Sequence, residues 1–171
     1  MSVFACWPLR PLPDGREPQI TSGHSVRNPD RPRHWGVDLF YRWCTADGAV
    51  KIGDGGATRG KDGKPKWFIP DRCEAIAVNK GKVARSGKSK TGYYCWLEIA
   101  PNLFAGYFHL SSLLVTANDH VVAGQVIGIV GDNPVDSDAR HLHFELHSGD
   151  TKNHPRGTID PQRELLKTPR I

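Results

Sequence analysis

Apolar and polar residues alternate through most of the middle and C-terminal half of the chain. In "RHLHFELH" (140–147), Leu142, Phe144 and Leu146 fall on one side of an extended backbone. His141, His143, Glu145 and His147 fall on the other. A period of two predicts a strand with one face in a core. "GYYCWLEIA" (92–100) alternates in the same way, "PN" interrupts it, and "LFAGYFHL" (103–110) runs back as a hairpin. "CEAIAV" and "GKVARSG" flank "NKGK" (79–82) and predict a second hairpin. "HVVAGQVIGIVG" (120–131) is apolar with regularly placed glycines. Helical periodicity is scarce, and only "PQRELL" (161–166) reads as a turn or two of helix. The pattern predicts an all-β single domain with an antiparallel sheet of barrel or sandwich type and few short helices.

The first 70 residues pattern less clearly. "PLRPLPDGREP" (8–18) is proline-rich and is expected to wrap the surface. Residues 53–66, "GDGGATRGKDGKPK", read as a glycine- and lysine-rich loop. Gly55, Gly60 and Lys61 approach a phosphate loop, but Asp62 stands where Ser or Thr belongs. Gly63 and Pro65 oppose the helix that should follow, so nucleotide binding is not expected. No repeat and no second domain is evident.

Composition narrows the class. The 171 residues are 38% hydrophobic and 24% charged, which is globular and not disordered. No apolar run approaches the roughly 20 residues a membrane helix needs. "MSVFACWPLRPLPDG" lacks a basic leader region, so no signal peptide is expected. The net charge of +5 and pI near 9.1 favour an anionic partner: nucleic acid, membrane or an acidic wall polymer. The basic run Lys80 to Lys90 suits an anionic ligand or plain solvent. No aromatic–basic motif accompanies it, so nucleic acid is not an expected partner. Cys6, Cys44, Cys73 and Cys95 form no C-x-x-C pair, which argues against a zinc knuckle. Cys73 and Cys95 lie in strand-like runs and are expected as buried thiols.

The chemistry lies with the histidines. Positions i and i+2 of a strand share a face roughly 6.5–7 Å apart. His141 and His143 can therefore reach one small space; both can bind a metal, or one binds while the other touches the metal's water. His147 lies about 13 Å beyond His143 along the strand, too far to share an ion. "HWGVD" (34–38) separates His34 from Asp38 by a similar span, so the chain must turn between them, and Gly36 permits a turn. His109 in "YFHL" is a third candidate, placed by alternation on the face of Tyr107. The histidines at 24, 120, 147 and 154 read as satisfied or solvent-facing side chains.

"HWGVD", "GYFHL", "VVAGQVIGIVG" and "RHLHFEL", in this order, resemble the lysostaphin-type zinc endopeptidases of bacterial cell walls. "ITSG" (20–23) and "IDPQREL" (159–165) extend the resemblance across residues 20–166. It implies a zinc endopeptidase domain there, preceded by a 1–19 segment and followed by a 167–171 tail. It also implies one zinc ion held by His34, Asp38 and His143. His141 and His109 then stand beside the metal's water as the catalytic pair, with unperturbed pKa values near 6.5. Tyr107 and Arg140 are expected on the substrate side. Three protein ligands leave an open position for a zinc-bound water, as catalytic sites require. Residues 40–69 form an insert relative to the family pattern, expected to wall the substrate groove or to decorate the surface. The implied activity is hydrolysis of peptide cross-links in peptidoglycan at the bacterial cell wall. The expected form is a monomeric single-domain lysin of phage type, made in the cytoplasm and released through a membrane lesion or carried on a virion; a bacterial enzyme exported by an unrecognised signal also fits. The rival reading is a non-catalytic wall-peptide-binding or regulatory protein on the same scaffold.

Overall fold

A computed structural model describes residues 2–24, 34–42, 57–59, 65–131 and 140–171. Every strand pairing among them is antiparallel. The strands are β1 (Gln19–Ser22), β2 (Val37–Arg42), β3 (Ala57–Arg59), β4 (Pro65–Phe68), β5 (Glu74–Ile76) and β6 (Gly81–Ser89). They continue as β7 (Gly92–Ala100), β8 (Leu103–Leu113), β9 (His120–Val121), β10 (Val126–Val130), β11 (Leu142–Ser148) and β12 (Thr158–Ile159). One short helix, α1 (Gln162–Leu165), follows. The main sheet runs β3-β4-β2-β11-β8-β7-β6-β9, with β1 on β2, β12 on β11, and β10 bridging β8 to β5.

The alternation in β11 works as its sequence predicts. Leu142, Phe144 and Leu146 are buried against Val37, Leu39, Leu97, Tyr107 and Leu110. Burying each such side chain contributes about 1.5–3 kcal/mol, and this anchors the opposite, histidine-bearing face. The β7–β8 hairpin also forms, its turn closed by Asn102 at φ 58, a conformation Asn tolerates better than most residues.

The second expected hairpin does not form. One main-chain edge around β5 bonds to the N-terminal segment, with Ile76 N–H donating to Pro8 O. The other pairs with β10, Ala75 opposite Gly128. With both edges taken, β5 cannot pair with β6, which instead pairs along its length with β7. The N-terminal segment is likewise more than a surface wrap. Phe4, Cys6, Trp7 and Leu9 are all buried, and Trp7 Nε1–H donates to Thr168 O. Thr168, in the 167–171 tail, also meets Ser2 through their hydroxyls at 2.7 Å.

Cys6, Cys73 and Cys95 are buried free thiols, with burial pushing Cys73 and Cys95 up to about 12. Cys44 lies outside the described residues, as do Gly55, Gly60, Lys61 and most of the 40–69 insert. The described parts of that insert pair as strands, β3 with β4 and β4 with β2. No described helix is long and apolar enough to cross a membrane.

Candidate metal centre

β2 and β11 lie side by side with Asp38 directly opposite His143. Paired residues share a face, so the carboxylate and imidazole project together. His34 sits just before β2 and returns its ring to the same point. Its Nε2 is 3.0 Å from Asp38 Oδ1 and 3.1 Å from His143 Nδ1. His143 Nδ1 is 2.9 Å from the same Asp38 oxygen. The chain bends at Gly36, as expected above, and the glycine also permits a close approach. A Cβ there would lie 2.3 Å from Phe144 O and 2.9 Å from His143 Nε2. Only glycine lets the 34–38 segment lie against β11.

Each imidazole is oriented by its far nitrogen. His34 Nδ1–H donates to Gly23 O at 2.9 Å, and His143 Nε2–H donates to Glu145 Oε1 at 3.0 Å. These bonds fix the tautomers and leave His34 Nε2 and His143 Nδ1 as lone-pair donors aimed at one point with Asp38 Oδ1. A zinc ion held at 2.0–2.1 Å in a tetrahedron spaces its ligands about 3.3 Å apart. The observed 2.9–3.1 Å spacing is close to that, and two imidazoles with a carboxylate are a donor set that zinc accepts. Among the described residues, these three form the one cluster able to hold a metal ion.

The electrostatics agree. Burial alone would raise Asp38, but hydrogen bonds from His141, His143 and His34 outweigh it and hold the carboxyl well below its usual range. Burial would lower His143, yet hydrogen bonds to Asp38 and Glu145 push it up to about 9. Without metal, a proton therefore occupies the point where the donors converge.

His141 is buried, stacks on Phe40 (centroids 5.3 Å apart) and places Nε2 3.4 Å from Asp38 Oδ1. His109 reaches the same place by a route that alternation misses. β8 carries a bulge: Leu110 faces Tyr93 and Tyr107 faces Cys95, so Phe108 and His109 together oppose Tyr94 alone. His109 adopts φ 62. The bulge turns its ring away from Tyr107's face and sets it 4.8 Å from His141 and 5.7 Å from His143, centroid to centroid. Its Nδ1–H donates to Thr91 O at 3.0 Å, leaving Nε2 free. Burial lowers its pKa to about 4, against the ordinary value expected from sequence. Burial thus favours the neutral form of His109.

Of the two residues expected on the substrate side, one is a core side chain and the other is ion-paired. Tyr107 is fully buried, and its hydroxyl accepts from Val78 N–H at 2.9 Å, so it belongs to the core. Arg140 is held by Asp71, Nη1 to Oδ1 2.5 Å. Two residues not singled out from sequence matter more. Glu145, 3% exposed, sits between His143 and His154, whose Nε2 lies 2.9 Å from Oε2. Glu145 could have been found from its place on the histidine face; His154, in the turn after Thr151–Asn153, carried no signal. His147 is fully buried edge-on to Trp96 and is neither solvent-facing nor hydrogen-bonded among the described residues.

Known structures share this fold. Lysostaphin, the antimicrobial peptidase of Staphylococcus simulans, superposes with a TM-score of 0.61 at 24% identity, over 87% of this chain and 49% of that one. A SpoIIQ–SpoIIIAH pore-forming complex matches at TM-score 0.63 and 20% identity, over 95% and 90%. A zinc-containing peptidase from Vibrio cholerae matches at 0.58 and 21%, over 95% and 40%. The chain thus spans about half the length of the lysostaphin chain. The family model of peptidase family M23 matches residues 66–155, a stretch that carries His109, His141 and His143. With that match over half its length, the chain belongs to peptidase family M23.

Proposed function

We propose that this protein is a zinc-dependent endopeptidase that hydrolyses peptide cross-links of bacterial peptidoglycan, acting at the cell wall as a lysin of phage type. The observation that carries this reading is the convergence of His34 Nε2, Asp38 Oδ1 and His143 Nδ1, with two further histidines beside them. When bound there, zinc supplies a Lewis acid for the scissile carbonyl and makes water acidic enough to ionise near neutral pH.

The remaining chemistry falls to side chains. His109, neutral and with Nε2 free, accepts the proton that the attacking water loses. His141, fixed against Phe40, stands where it can donate to the carbonyl oxygen or the leaving amine. Glu145 holds His143 in the tautomer that presents Nδ1.

A second reading, a non-catalytic wall-peptide binder, is favoured by the likeness to a pore-forming complex. The intact donor set weighs against it, because a binder has no use for an open-sided metal site with a neutral base beside it. Mass spectrometry of muropeptides separates the two. The zinc-loaded protein should convert cross-linked muropeptides to shorter products, and chelator or His143→Ala should stop it. Unchanged muropeptides with zinc bound would favour the binder.

A further inference from the structure

The face of the sheet that bears the metal cluster continues beyond it as an aromatic floor ending in an unpaired cation. His143 on β11 faces Phe108 on β8, their rings edge to face at 5.7 Å. Phe108 stacks on Tyr94 of β7 at 6.2 Å and 22°. Glycine makes this floor flat: a Cβ at Gly106 would lie 2.6 Å from Trp96 and 2.9 Å from Phe108, and the Tyr94 hydroxyl lies over Gly87. Arg85 on β6 then lies over the Tyr94 ring, its Cζ 5.6 Å from the centroid.

Arg85 differs from several other arginines among the described residues. Arg10, Arg16 and Arg140 each hold a carboxylate. Among the described residues, Arg85 has no ion-pair partner, and its Nε is buried with no hydrogen-bond partner. A guanidinium fixed by stacking presents its two Nη groups in a planar fork, pre-organised for a planar anion that can accept two parallel hydrogen bonds. Three strand spacings separate β11 from β6, about 14 Å, which an extended peptide covers in about four residues.

We infer that Arg85, stacked on Tyr94, is a subsite for a carboxylate of the bound peptide some four residues from the bond that is cut. The subsite rests on the proposed peptidase reading for its substrate, and commits it to an acidic peptide lying across β8, β7 and β6.

The test uses the zinc-loaded protein and a synthetic wall stem peptide with free glutamyl and C-terminal carboxylates. Two partner peptides carry one or the other carboxyl as the amide. Affinity is measured by calorimetry and hydrolysis by mass spectrometry. One of the two amides should bind about ten- to a hundredfold more weakly, as loss of a charge-assisted bond implies, and that amide identifies which carboxylate is held. Arg85→Gln should weaken the free acid by the same factor and leave the sensitive amide unchanged; Arg85→Lys should recover part of the loss. Equal binding of all three peptides by the native protein, which needs no variant to fold, overturns the subsite. So does a discrimination that survives Arg85→Gln. Arg85-dependent discrimination without hydrolysis keeps the subsite and defeats the peptidase reading instead.

Discussion

His143 makes the metal centre depend on pH in a definite direction. Its pKa in the metal-free protein is about 9, so at pH 7 an entering ion must displace a proton. Apparent zinc affinity should therefore rise about tenfold per pH unit towards pH 9 and flatten above it, as one released proton requires. Titration against a chromophoric chelator at several pH values reads this slope. Glu145→Gln removes the charged acceptor from the His143 Nε2–H. Loss of an orienting partner of this kind typically lowers metal affinity about 10–100-fold, and the same chelator competition measures it, with circular dichroism to confirm the fold. His143→Ala should abolish zinc retention and hydrolysis together. The three clustered donors could be named from the chain because each sits in a motif whose resemblance ties distant residues together. The orienting shell could not, since nothing in the sequence links the turn at His154 to Glu145.

At the scale of the element, β8 shows where pattern reading succeeds and where it stops. Alternation located the strand and its hairpin with β7, and it put Phe144 and its neighbours in the core. It could not place His109, because one extra residue reverses every side chain beyond it. The bulge also separates stability from function. His109 holds a left-handed conformation that costs a non-glycine residue about 1–2 kcal/mol. His109→Gly should relieve that cost and offset the lost packing of the ring. Thermal unfolding should then stay within a few degrees of the native protein while hydrolysis collapses and zinc is retained. A variant that keeps turnover would remove His109 from the proton-transfer role. The β5–β6 hairpin failed for a related reason. The local turn signal at "NKGK" was outweighed by pairings with Pro8 and β10, which are distant in sequence and invisible to a window of a few residues.

For the whole molecule, a zinc ion held at the proposed site would join the segment before β2 to β11, since His34 and His143 stand 109 residues apart. A ligand that binds only the folded state stabilises it by about 2.7 kcal/mol at a hundredfold excess over Kd. For a domain of this size that corresponds to about 5–10 °C in Tm. Scanning calorimetry with zinc and with chelator should show this shift, and His34→Ala, Asp38→Ala or His143→Ala should each erase it. The N-terminal segment acts at the same scale. Trp7 is 1% exposed and bridges to Thr168, so Trp7→Ala should cost about 3–5 kcal/mol and lower the denaturation midpoint, although it lies in a stretch whose prolines suggest a loose wrap.

The Ser2–Thr168 hydroxyl contact brings the segments around residues 2 and 168 to one spot. Anything joined to the chain beside either segment, a further module or a purification tag, therefore departs from the same pole. A short bridge between them, with the chain reopened at the exposed Ala117–Asn118 turn, should yield a circularly permuted protein that keeps the β2–β11 pairing intact.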